Sequence, residues 1–287
     1  MKILNIDPSE LKTDKKFLIS NPVRTDRHFK FEKKYPGIPP VIINNKKVVI
    51  GGEDSFFYLR EKNEFVNVTK TDLDDKDSLF LAYNLRKNIE DLNLWEKLNF
   101  LNNILPLSCK EEIYEKTGIE IKINDELKKF LPELLKKKFE ELLINERISV
   151  PSAQILCNYN QADGEKLLFL FSKVPFSSSF QHNILEIVEE IVFRDKCSVE
   201  DIFNRTGIRD LVEQEKPQRD IMSVLSQLRF PEYSAKEEEW MNLKKDLHLP
   251  TGYSVSHYPY FEKKGVELKV VFDTPDSLKK GLKKLKS

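Results

Sequence analysis

Gly37-Ile38-Pro39-Pro40-Val41-Ile42-Ile43, then Asn44-Asn45, then Lys47-Val48-Val49-Ile50-Gly51-Gly52-Glu53 is the stretch on which the reading of this chain turns. Two β-branched runs flank an Asn-Asn turn, which predicts a β-hairpin. The paired glycines break the second run, and Ser55 to Arg60 reads as the opening of a helix. A strand that feeds a glycine turn and then a helix leaves backbone N–H groups converging on one spot, where an anion can sit. The same turn also serves simply to pack a strand on a helix, and both readings stand at this point.

Working outward, Phe65-Val66-Asn67-Val68 is a further short strand, so residues 1–80 alternate β-like runs with turns. Residues 90–230 read mostly as helices, with apolar spacings such as Leu134, Leu135, Phe139, Leu142 and Leu143. Stops are expected at Pro106, Gly118, Pro132, Pro151 and Pro217. The last segment opens with a helix at 236–247. It continues with strand-like Tyr253–Ser256 and Val266–Phe272, and closes with a helix capped near Thr274 and opened by Pro275. The expected class is α+β in three parts: an α/β domain over 1–96, a helical domain over 97–235, and a ββα unit over 236–287.

Composition bounds the function. Of 287 residues, 40% are hydrophobic and 19 are Phe, enough for buried cores. Lysine plus arginine and aspartate plus glutamate both number 47, so no overall basic excess points to nucleic acid, and any DNA contact must come from a local patch. Residues 236–287 carry eleven lysines against eight acids, whereas 107–235 carry 18 basic and 23 acidic residues. Lys136-Lys137-Lys138 reads as a solvated helix face diluted by Glu133, Glu140 and Glu141. There is no apolar run of about 18 residues, and the start reads as no signal peptide. Cys109, Cys157 and Cys197 are widely spaced, which fits free thiols in a reducing cytoplasm. The four histidines (28, 182, 248 and 257) show no metal-like spacing.

Three segments together resemble the N-terminal domain of ParB-type partition proteins. They are Ile6-Asp7-Pro8-Ser9-Glu10-Leu11; the pair Pro40-Val41-Ile42-Ile43 and Ile50-Gly51-Gly52-Glu53; and Asn84-Leu85-Arg86-Lys87 followed by Leu92 to Lys97. The likeness covers about residues 3–105. It implies a ParB/sulfiredoxin-like α/β domain and a nucleotide site for CTP with Mg2+. The matching positions are Gly51, Gly52, Glu53, Asn84, Arg86 and Lys87, with Arg24. Departures are as plain: Asp54 and Ser55 stand where the family has two arginines, Phe57 lies near its next one, and the helix between Arg27 and Gly37 is shortened. A triphosphate needs fixed cations, so Glu53 and Asp54 at that helix start would repel it. Replacement cations are Arg24, Arg27, Arg60, Arg86 or Lys87; alternatively Glu53 and Asp54 hold a divalent metal. The site is therefore expected to be degenerate.

In the family a helix-turn-helix that reads DNA comes next. Its counterpart would be residues 110–131, with Gly118 in the turn, Asn124 capping Asp125 to Leu131, and Lys128 and Lys129 as contacts. Against this, Asp125 and Glu126 head the second helix, and Ile119–Ile123 looks strand-like and too long for the turn; a plain helix pair is the alternative. Residues 143–153 are similar to the family's segment after the DNA reader. The tail resembles a ββα dimerisation unit. Its last helix carries Lys279, Lys280, Lys283, Lys284 and Lys286 beside Leu278, Leu282 and Leu285. That ridge is either a soluble helix end or a phosphate contact. The resemblance thus implies a divergent DNA-associated protein of chromosome or plasmid partition: a homodimer, with a ParA-like ATPase as partner and no membrane contact. The alternatives are a nucleotide-dependent, kinase-like enzyme with Glu53 as general base, and a non-catalytic interaction module.

Overall fold

The structure, a computed structural model, describes residues 3–19, 40–89, 91–214, 217–276 and 278–279. Contacts divide the chain into one compact unit up to Leu185 and a second from Glu186. Among the described residues no helix is long and apolar enough to cross a membrane.

The first unit opens with a five-stranded mixed sheet. Its strands are β1 (Ile3–Ile6), β2 (Lys12–Thr13), β3 (Val41–Ile43), β4 (Val48–Gly51) and β5 (Val66–Lys70), in the order β1-β5-β3-β4-β2. The expected hairpin is present: β3 and β4 are antiparallel, with a register shift between Ile42 and Ile43. Asn44 builds its turn by accepting from the N–H groups of Lys46 at 2.9 Å and Val48 at 3.0 Å. Strand β5 runs parallel to β3 and antiparallel to β1. Alternation buries Val41, Ile43, Val49, Val66 and Val68 on one face, against Phe56 and Leu59 of helix α1 (Glu53–Glu61).

Helices follow: α2 (Asp75–Ile89), α3 (Leu94–Ile104), α4 (Lys110–Thr117), α5 (Asp125–Leu134), α6 (Lys137–Ile144), α7 (Val150–Leu156), α8 (Gln161–Lys173) and α9 (Ser178–Asp195). Their starts are written in the sequence. Asn93 and Glu96 form a reciprocal capping box on α3, Asn124 caps α5, and Ser149 caps α7. Gly118 ends α4 in the left-handed conformation, as expected. Three of the expected stops need correction. Pro132 lies inside α5, two residues before its end, while Pro151 and Pro217 sit in the first turns of helices, where a missing N–H costs nothing. Ile119–Ile123 is not a strand. Ile119 and Ile123 are buried, and the link is tied to the Tyr114 hydroxyl, which donates to the Ile121 carbonyl and accepts from the Ile123 N–H. Apolar alternation makes a strand only where a neighbour supplies the ladder, and here Ile119 and Ile123 are buried without one.

The second unit contains the end of α9, then α10 (Val199–Thr206), α11 (Ile208–Leu211), α12 (Pro217–Arg229) and α13 (Pro231–Asp246), and a hairpin of β6 (Tyr253–His257) and β7 (Val266–Val270). Its core is Ile187, Val188, Ile191, Val199, Ile202, Phe203, Ile208, Ile221 and Leu225. The Arg194 guanidinium closes the end of α12 by donating to the carbonyls of Leu228 and Arg229. The tail strands and the helix before them are as expected, and the helix begins earlier, at Pro231. Helix α13 buries no residue and the two strands bury only Val255.

Candidate functional site

The glycine turn sets up the site. Gly52 is the first cap of α1 at φ 74°, a conformation open to glycine, and a Cβ there would meet the Pro40 oxygen at 3.0 Å and Val41 Cα at 3.1 Å. With no side chain, Gly52 offers no cap to α1. The carboxylates of Glu53 and Asp54 stand in the first turn instead, where the helix dipole favours negative charge. That is a structural reason for acids at this position.

The second wall comes from α2. Residues 82, 85 and 86 share a helix face, and Ala82, Leu85 and Arg86 line the cavity with Gly51, Gly52 and Phe17. Arg86 is 5% exposed at its side chain, and its Nη1 lies 3.4 Å from Oδ2 of Asp54, itself 15% exposed. Of the replacement cations expected from the sequence, Arg86 is the described one that lines this cavity, and it is engaged by Asp54. Leu85 fills the space over the turn, and a Cβ on Gly51 would fall 2.6 Å from its Cδ1. The cavity left is about 30 Å³. That holds a water or two, at roughly 10–15 Å³ each, against the roughly 300–1,000 Å³ of a pocket for a larger ligand. Ser55 Oγ is buried on its wall and has no hydrogen-bond partner among the described residues. One water would satisfy it.

Asn84 and Lys87, assigned to the same site from the resemblance, are not brought there. They occupy another face of α2, where Asn84 Nδ2 donates to the Lys116 carbonyl at 3.2 Å and Lys87 Nζ to the Thr117 carbonyl at 2.7 Å. Both satisfy the free carbonyls at the end of α4. The adjacent salt-bridge cluster supports the same junction. Glu112 on α4 binds Lys76, Lys116 and Ser108, and these hydrogen bonds hold its carboxyl down to about 2. Arg60 is exposed, with its guanidinium 5.8 Å from the Phe56 ring. Arg24 and Arg27 lie outside the described residues. No cluster of three or more metal-ligating side chains occurs among the described residues, so Glu53 and Asp54 form no such group.

The DNA-facing expectations divide in the same way. Helices α4 and α5 are present, but seven residues, 118–124, link them, longer than the three or four of a helix-turn-helix turn. A groove of about 530 Å³ lies where the two helices start, with Lys110, Lys122 and Lys128 on its walls beside Cys109, Asn124 and the acids Glu111 and Asp125. Lys128 is also 3.4 Å from Asp125, and Lys110 is 3.7 Å from Glu111. Lys129 is exposed, points elsewhere, and sits 5.0 Å from the Phe130 ring. Lys110 and Lys122 were missed from sequence because they join Lys128 only once the 118–124 link folds back. In the tail, Lys279 is exposed, while Lys280, Lys283 and Lys284 lie outside the described residues. The cysteines are free: Cys109 is exposed, and burial pushes the Cys157 thiol up to about 11.

No family model matches the chain, and no curated protein matches it. Among the solved structures similar to it are two N-domain structures. One is a crystal form of a Pnob8-like ParB N-domain, 16% identical over 78% of this chain and 99% of that chain, with a TM-score of 0.31. The other is a pNOB8-like ParB N-domain, 18% identical over 83% of this chain and 96% of that chain, with a TM-score of 0.35. Superpositions at this level assign neither a ligand nor a partner.

Proposed function

We propose that this chain is a DNA-associated protein of the ParB-like kind in which the glycine-turn module has become structural. In this reading the groove between the starts of α4 and α5 holds the sugar-phosphate backbone. The observation that carries it is the convergence of Lys110, Lys122 and Lys128 on that groove. The ion pairs of Lys110 with Glu111 and of Lys128 with Asp125 are exposed and weak, so a phosphate competes with them readily. The first turns of two helices add free N–H groups to the same mouth. Contact of this kind is with phosphate and carries no sequence preference. Association with duplex DNA measured between about 50 and 200 mM salt is expected to weaken steeply. The Lys110→Gln, Lys122→Gln, Lys128→Gln protein is expected to lose about 0.9 in log–log slope for each phosphate contact removed. Binding that is absent, or a slope the triple substitution leaves unchanged, ends this reading.

The tail supports self-association. Register sets Tyr253, Val255 and His257 opposite Val270, Leu268 and Val266 on one apolar face of the hairpin, with Ser254, Ser256, Glu267 and Lys269 on the other. On that apolar face Val266 is 56% and Leu268 50% exposed. A two-stranded hairpin with so little buried is marginal alone, and a second copy of the same face would cover it. Light scattering of the full chain is expected to give a dimer, and Leu268→Glu a monomer. An unchanged mass in the variant removes the hairpin from the interface.

A further inference from the structure

Two phenylalanines of the second unit stand in solvent near one another. Phe193 on α9 is 85% exposed, and Phe230, the first cap of α13, is 53% exposed. At 3.6 residues per turn, Phe193 falls on the opposite side of α9 from its core residues Ile187, Val188 and Ile191. Two arginines fasten this side of α9 to the start of α13. The Arg194 guanidinium donates to the carbonyls of Leu228 and Arg229. Arg229 reaches back to Glu190 and to Glu186, at 3.6 Å, which share a helix face with Phe193. Its guanidinium also lies 5.0 Å from the Phe230 ring centroid.

A groove of about 600 Å³ lies at this junction, walled by Arg194, Asp195, Arg229, Phe230, Glu232 and Tyr233. That is within the roughly 300–1,000 Å³ of ligand sites. Three of its four charged side chains are already matched: Arg194 with Asp195 at 2.7 Å, and Arg229 with Glu190. Asp195 takes Arg205 as well, at 2.8 Å. Glu232 is exposed and has no ion pair among the described residues, and the same holds for Glu189, one turn before Phe193. The uncompensated charge around the aromatics is therefore negative. It disfavours a phosphate backbone and an anionic membrane surface. A fitting occupant brings apolar side chains for the rings and a cation for the rim.

We infer that this groove is a docking site for a cationic amphipathic segment of a partner protein. Its apolar side chains seat against Phe193, Phe230 and Tyr233, and the lysines or arginines beside them meet Glu189 and Glu232. Aromatic residues and arginine are the side chains that anchor protein interfaces. Rim charges of this kind choose the partner more than they set the strength of binding. The inference stands independently of the DNA and self-association readings, because it uses neither the α4–α5 groove nor the hairpin.

The test uses the full chain and three fluorescein-labelled peptides, read by anisotropy. One carries leucine and lysine in amphipathic helical order, one has glutamate for each lysine, and one has serine for each leucine. The leucine–lysine peptide is expected to bind, and the other two at least about tenfold more weakly. Phe193→Ser and Phe230→Ser change exposed positions, and circular dichroism checks that both variants keep the native fold. Each should weaken the leucine–lysine peptide about tenfold or more, the effect of losing one interface anchor. Glu232→Gln should narrow the preference for lysine over glutamate. No binding, equal binding of the three peptides, or binding that survives both phenylalanine substitutions overturns the docking site. A fall in the native mass by light scattering on Phe230→Ser overturns it too, since the groove would then belong to a second copy.

Discussion

Asp54→Ala is expected to lower the stability of the first unit by about 1–3 kcal/mol, because it takes a charged hydrogen-bond partner from a nearly buried guanidinium. Arg86 is 5% exposed at its side chain, and the Asp54 carboxylate is 3.4 Å from it. Removing the acid does not return Arg86 to solvent, since Leu85, Phe17 and the glycine turn pack around the same cavity. The loss of a carboxylate from the first turn of α1 adds a smaller term, about 0.3–1 kcal/mol. Urea denaturation at neutral pH measures the sum. The paired substitution Asp54→Leu with Arg86→Met should recover most of the loss, because it replaces both members of the pair together. A loss under about 1 kcal/mol for Asp54→Ala would mark the pair as an ordinary surface ion pair. The same geometry sets the expected nucleotide result: CTP with Mg2+ leaves the melting temperature of the native chain unchanged. A rise that disappears in Arg86→Met would instead seat a triphosphate at the glycine turn.

Phe100→Ala is expected to cost about 3–5 kcal/mol through the cavity it leaves. The Phe100 side chain is fully buried on α3, with its ring centroid 4.3 Å from Tyr83 and 6.1 Å from Phe80, both on α2. Burial around this cluster also pushes the Tyr83 hydroxyl up to about 12. Helix α2 is the element that presents Arg86 to α1 and Asn84 and Lys87 to α4, so loosening its packing on α3 should disturb the glycine-turn site as well. Phe100→Leu should cost less than Phe100→Ala, since most of the volume is kept. Thermal unfolding followed by circular dichroism compares the two. Equal costs for both variants would point to lost ring stacking rather than lost volume as the cause.

Much of the local architecture could be read from residues. The Asn44 turn, the Gly52 break, the Asn93 and Asn124 caps and the Gly118 stop each act over three or four positions, and each appears where the chemistry puts it. The errors came where local signals have two uses. Proline at 151 and 217 reads as a breaker but serves as a first-turn residue. Ile119–Ile123 alternates like a strand but has no neighbouring strand to complete its ladder.

The candidate site was legible only in part. The glycine turn, the acids beside it, and Arg86 among the residues near it could be read from the chain. The rotation of α2 could not. It sends Asn84 and Lys87 to the end of α4 and Arg86 to Asp54, because helix phase is decided by which neighbours each face buries. Nor does any local signal bring Lys110 and Lys122 to Lys128.

What the sequence determined by itself is charge and conformational permission: acids where a phosphate site wants cations, and glycine where the backbone turns left-handed. What only the tertiary structure decided is which charge meets which. An ion pair depends on distance and exposure, and those are set by packing between segments far apart in the chain. That is why Asp54, read as a repulsive group, stands in the fold as the partner of a buried arginine.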